Sequence, residues 1–237
     1  MLSRLNTRSR PSRPSRTGAR RTSSGGGSGG GPITLIADQY GAAGDTGESG
    51  DWGLLRNGTW EYIAFGSCNG GGAAAFDFKL DGVNQTKQAY HTWASNYANY
   101  RVGVAANEGV FDADAVLKAA GNCNQLYNTV FRVNAGYEIK QVKSFGPDFG
   151  PAAAEPITLT FDAPCAAGNL VIFQIVGSGT FTRPANVVNL IDRDQGGGGW
   201  PGYIDIVEAL EVEQTAFTWT KTNSCWLTVS GVEVGPV

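Results

Sequence analysis

The stretch Gly168-Asn169-Leu170-Val171-Ile172-Phe173-Gln174-Ile175-Val176-Gly177 decides the fold. Leu170 to Val176 holds six apolar residues and one Gln. Val171, Ile172, Phe173, Ile175 and Val176 are β-branched or aromatic, and glycines bound the run. So short and apolar a run reads as a strand buried on both faces, in the middle of a sheet. Its flanks read as more strands, which predicts an all-β body, a β-sandwich or jelly roll.

Downstream, Val187 to Ile191, Tyr203 to Val212, Phe217 to Thr220 and Trp226 to Val234 read as strands. Upstream, so do Ile157 to Phe161, Tyr137 to Phe145 and Leu126 to Val133, the last two joined by Asn134-Ala135-Gly136. Phe76-Asp77-Phe78-Lys79-Leu80 alternates, with Phe76, Phe78 and Leu80 inward, and Asp81-Gly82 reads as a hairpin turn. Thr59 to Phe65 and Ile33 to Ala37 complete the strands, while residues 84 to 101 fit no pattern. Asp112 to Ala120 is the best helix candidate, with an acidic start and Gly121 as its stop. Turn signals recur about every ten residues, as in a sandwich.

Composition agrees. Gly is frequent, Met occurs once, and 41% of the 237 residues are apolar against 16% charged. The net charge of −3 hides a segregation. Arg4, Arg8, Arg10, Arg13, Arg16, Arg20 and Arg21 lie within residues 1–24, which contain no Lys and no acid. Removing those seven from the 18 basic residues leaves 11 against 21 acidic ones, a balance of −10 for the rest. Pro11 and Pro14 forbid a regular helix in the arm and favour an extended chain. Gly25 to Gly31, with Ser28, reads as a flexible tether.

The chain therefore divides into a basic Arg/Pro/Ser arm (1–24), a Gly-rich linker (25–32), an N-terminal β region (33–150) and a C-terminal β-sandwich region (151–237). The last two can also form one continuous body. Residues 146–156, with three prolines, stand between them. The N-terminus has no apolar segment of the secretory kind, and no apolar run is long enough to span a membrane, so no membrane partner is expected.

The residue inventory argues against catalysis and against a cofactor. His91 is the lone histidine and has no nucleophile motif around it; it reads as a surface or packed residue. Cys68, Cys123, Cys165 and Cys225 are too far apart for a zinc or redox motif and read as buried thiols, with a Cys123–Cys165 or Cys68–Cys225 bridge as the alternatives. Asp192-Arg193-Asp194-Gln195-Gly196 has the form of a calcium loop, but residue 203, where the downstream acid of such a loop would stand, is Tyr. A solvated loop is the reading there, and also for Asp45, Glu48 and Asp51. Glu208, Glu211 and Glu213 read as the outward face of a strand. Trp52, Trp60, Trp93, Trp200, Trp219 and Trp226 could offer a sugar-binding face but read mostly as core.

Residues 157–234 resemble a β-sandwich module found in structural proteins of tailed-bacteriophage virions. Ala166-Ala167-Gly168-Asn169-Leu170 matches the opening of its buried strand, with Asn169 where Asp is usual. Thr182-Arg183-Pro184-Ala185-Asn186 matches its loop, with Val187 and Val188 in place of a large aromatic. Gly196 to Gly199, Trp200 to Val207, and Ser224-Cys225-Trp226-Leu227-Thr228-Val229 match its hairpin and last strand. The resemblance implies a non-enzymatic virion component: a head decoration, fibre-base or tail-associated protein; attachment to a symmetric shell or tail ring would make it a homo-oligomer or multi-copy assembly.

The Arg arm points to phosphates or to an acidic protein surface. The first reading of it is an anchor, residues 1–31 binding other virion proteins of the capsid or tail. The alternative is the plan of small icosahedral RNA-virus coats, which this chain also resembles: a genome-binding arm, a Gly-rich hinge and a jelly roll. A carbohydrate-binding β-sandwich is the third.

Overall fold

The computed structural model describes residues 31–41, 58–70, 76–94, 99–111, 117–121, 125–148, 155–177, 180–192, 202–222 and 227–237. These residues form sixteen strands and no helix. The first eight are β1 (Ile33–Gly41), β2 (Gly58–Gly70), β3 (Phe76–Leu80), β4 (Val83–Asn84), β5 (Ala89–Ala94), β6 (Asn99–Phe111), β7 (Leu117–Gly121) and β8 (Gln125–Val133). The rest are β9 (Tyr137–Asp148), β10 (Pro156–Cys165), β11 (Leu170–Gly177), β12 (Phe181–Thr182), β13 (Val188–Asp192), β14 (Gly202–Val207), β15 (Gln214–Lys221) and β16 (Leu227–Pro236).

Two five-stranded antiparallel sheets dominate, in the orders β1-β8-β2-β6-β5 and β13-β14-β11-β16-β9. The run that decided the fold is β11, the central strand of the second sheet. It pairs with β14 from Val171↔Val207 to Val176↔Gly202, and with β16 from Leu170↔Val234 to Gly177↔Leu227. Every residue of β11 is buried.

Alternation along β11 sends its side chains into two cores. Leu170 and Ile172 meet Ile63, Phe65, Val104 and Phe131 of the first sheet. Val171, Phe173 and Ile175 meet Leu159, Phe217 and Trp219 of a smaller sheet ordered β10-β15-β12. The first sheet is covered on its far face as well. There Tyr62, Ala64 and Val130 pack with Phe78 of a third unit, β4-β3-β7. The molecule is thus a stack of four β-layers, with the two large sheets inside, so a strand in either large sheet can be buried on both faces.

Strand β9, which runs into residues 146–156, pairs with β16 from Leu227↔Asp148 to Pro236↔Tyr137, and Ile139 and Val142 of β9 join the core between the large sheets, so segments from before and after 146–156 share one sheet. The turn Asn134-Ala135-Gly136 connects β8 in one large sheet to β9 in the other, rather than closing a hairpin within a sheet. Asp81-Gly82 closes the β3–β4 hairpin, with φ of 49° and 80°.

Three sequence expectations need correction. The helix expected over Asp112 to Ala120 is absent from its described part: Leu117–Gly121 is strand β7, paired with β3 from Leu80↔Leu117 to Phe76↔Gly121. Its Leu, Lys and Ala residues favour a helix locally, but pairing across the layer overrides a propensity of well under 1 kcal/mol per residue, roughly. The strand expected from Tyr203 to Val212 ends at Val207, because Leu210 turns away to bond the 168–169 turn. The cysteines are not all thiols. Cys68 is disulfide-bonded and Cys165 is free, which removes a Cys123–Cys165 bridge.

Candidate functional site

Edge strands are where this fold meets solvent. Among the described residues β1 pairs only with β8, and β13 only with β14. These two edges end the large sheets on the same side, and the sandwich is open between them. Two adjoining hollows occupy the opening, of about 560 and 420 Å³. The larger is walled by Ile33 and Leu35 of β1, Phe131 of β8, Leu190 of β13 and Ile206 of β14. The smaller carries Val188 and Val212. Ile206, Glu208 and Ala209 line both, so the two hollows adjoin along this segment and are described together as a groove.

The groove is apolar where it should be dry and acidic at its rim. Eight large apolar side chains stand out as exposed among the described residues, and four of them are here: Leu35 (46%), Val188 (55%), Leu190 (46%) and Val212 (68%). A contiguous exposed apolar patch marks an interaction surface far more often than scattered single residues do. Glu208 and Glu211 are exposed along it, and Glu213 lies just beyond.

Three hydrogen-bond networks hold the walls. The segment after β14 is pinned through Leu210: the Gly168 N–H donates to the Leu210 carbonyl at 2.8 Å, and the Leu210 N–H to the Asn169 carbonyl at 2.9 Å. The same turn is locked by buried Glu233, whose carboxylate accepts from the Ala166 N–H (2.8 Å), Asn169 Nδ2 (2.7 Å) and Gln141 Nε2 (2.6 Å). Gly235 leaves the room this needs, since a Cβ there would lie 2.5 Å from the Asn169 amide. Burial and the adjacent Glu233 charge push the Cys165 thiol up to about 12.

The β13 wall is fixed from below by Asp205, a fully buried carboxylate on β14. It accepts from Arg183 Nε at 2.7 Å and from Asn189 Nδ2 at 2.9 Å, with Trp219 Nε1 at 3.5 Å. The Arg183 guanidinium also lies about 5 Å from the rings of Phe181 and Tyr203. Asn189 sits at a β-bulge, where the register shifts between Asn189 and Ile191. Bulges of this kind keep an edge from pairing indiscriminately.

The third network sets where the arm leaves the body. Asn134 Nδ2 donates to the Gly31 carbonyl at 2.5 Å, the Asn134 N–H donates to the Pro32 carbonyl at 2.9 Å, and Asn134 Oδ1 accepts from Thr34 Oγ1 at 3.0 Å. Gly31 and Pro32 themselves line the larger hollow. The chain that follows the arm thus enters the body at the groove, clamped by one asparagine.

The other candidates from the sequence are not brought together. All seven arm arginines, Asp194, Asp45, Glu48, Asp51, Trp52, Trp200 and Trp226 lie outside the described residues. Among the described residues no group of three or more His, Cys, Asp or Glu could hold a metal ion. His91 Nε2 is hydrogen-bonded to Ser144 Oγ, which accepts from Ser230 Oγ at 3.2 Å. Burial lowers the His91 pKa, and among the described residues no carboxylate bonds its ring to orient it as a base. The pair instead ties edge β5 to edge β9, at the closed end of the sandwich. Trp219 is core, and Trp60 stacks under Arg132, 3.9 Å from the guanidinium carbon to the ring centre.

Sequence reasoning missed the groove, and it misplaced the glutamates. Glu208, Glu211 and Glu213 lie not on a strand face but in the connection between β14 and β15. Comparison with protein-family models, with curated proteins and with solved structures finds no match for the chain.

Proposed function

We propose that the protein is a non-enzymatic structural component of a virus particle, a head-decoration, fibre-base or tail-associated protein that attaches through residues 1–31. One observation carries this reading: an acid-free arm with seven arginines is joined to an acidic, layered β-body through a root that Asn134 clamps. A clamped root transmits attachment of the arm to the whole body, which a loose tail would not do. An arm of this composition cannot bury enough surface to fold alone, so its ordering requires a partner. The layered body suits a part that must bear load and project outward.

Removal of residues 1–24 tests it. The shortened chain is expected to stay folded and soluble but to stop co-sedimenting with particles whose shell is made of other proteins. A shortened chain that assembles shells by itself and fails only to package RNA overturns the proposal in favour of a coat protein.

A further inference from the structure

We infer that the groove between β1 and β13 is the socket for residues 1–24 of a second copy of this chain. This rests on the anchoring proposal's claim that the arm seeks protein, and adds a second copy of this chain to the proteins it binds. Three observations converge on that occupant. The groove offers exposed Leu35, Val188, Leu190 and Val212 with no described side chain covering them. Its rim carries Glu208 and Glu211 and, among the described residues, no basic residue. The arm is the chemical complement: it has no acid, and Leu2 and Leu5 are interleaved with Arg4 and Arg8.

The spacing fits. In an extended polyproline-type chain, residues three apart share a face, so Leu2, Leu5 and Arg8 line up on one side. The two leucines can enter the hollows while the arginines meet the glutamates at the rim.

A second copy is within reach of the arm. From the root to Leu5 the extended chain spans up to about 85 Å, ample to reach a neighbour. Exchange between two copies closes a dimer, and head-to-tail exchange builds a ring or a row.

The test uses two full-length variants. One carries Leu2→Ser, Arg4→Ser, Leu5→Ser and Arg8→Ser, which disable the arm; the other carries Glu208→Lys and Glu211→Lys, which disable the socket. The parent chain is expected to self-associate in analytical ultracentrifugation, and more weakly as salt is raised. Each variant alone is expected to lose at least about tenfold in association constant, on the order of 1.4 kcal/mol. Mixed together they are expected to recover a one-to-one complex, because an intact arm then meets an intact socket; that complex would also show that both variants fold. A parent that stays monomeric overturns the inference, as do variants that self-associate like the parent or a mixture that forms no complex. If the parent is monomeric while its arm still carries it onto particles, the socket is wrong and the anchoring proposal stands.

Discussion

At the scale of single residues, the stack depends on small side chains where layers meet. Gly231 on β16 faces the outer small sheet, and a Cβ there would lie 2.8 Å from Leu159 Cδ2 and 2.9 Å from the Phe161 ring. Both neighbours are buried, so neither can swing clear. Gly231→Ala is expected to cost about 1–3 kcal/mol, read as a lower denaturant midpoint with an unchanged slope. The cysteines give a second prediction. With Cys68 disulfide-bonded, no more than two of the four cysteines should react with a thiol reagent after denaturation without reductant. In the folded protein Cys165 should be inert at pH 8, because its thiol is pushed up to about 12 and the reactive thiolate is scarce. Reaction of Cys165 at the rate of a free thiol under native conditions would contradict this.

At the scale of elements, the closed and open ends of the sandwich differ in what they hold. Edge β5 is tied to edge β9 by His91 and Ser144, whereas β1 and β13 are separated by the groove. The tie has a pH signature. Burial lowers the His91 pKa in the folded state, so the unfolded chain binds the proton more readily. The stability this histidine contributes is full above its unfolded value, near 6.5. It is lost as pH falls from there through the depressed folded value, and levels off below it. Between pH 7 and 5.5, where most carboxylates stay ionised, midpoints of urea unfolding are expected to fall with pH. His91→Gln is expected to flatten that slope. An equal slope in parent and variant would remove His91 from the account.

At the scale of the whole molecule, four layers give an ordered gradient of protection. Strand β11 has neighbours on both sides in its sheet and layers on both faces. Its amides open only when the body unfolds, so Val171 to Ile175 should show the slowest hydrogen exchange, at the global free energy. Amides on the outer edge of β13 should exchange fastest among the strands of that sheet. Binding of the arm in the groove should slow β13 and leave β11 unchanged. Equal protection of β13 and β11 in the isolated chain would mean that the edge is already covered.

The sequence by itself determined what local composition can carry. Leu170 to Val176 is apolar at six of seven positions, so burial on both faces followed whatever its neighbours were. Asp81-Gly82 set a turn, and the segregation of charge put seven arginines and no acid within residues 1–24. What the tertiary structure decided were relations between distant segments. Leu117–Gly121 is a strand only because β3 lies beside it. Cys68 is paired although cysteine spacings of more than about forty residues say nothing of pairing. Leu35 and Leu190 look like ordinary strand residues in sequence; they face a groove because β1 and β13 end their sheets. Glu208 and Glu211 reach that groove because Leu210 bonds to the turn at 168–169. Strand order and edge position arise from non-local pairing, whose free energy resides in the partner strand as much as in the segment itself, and so cannot be read from either alone.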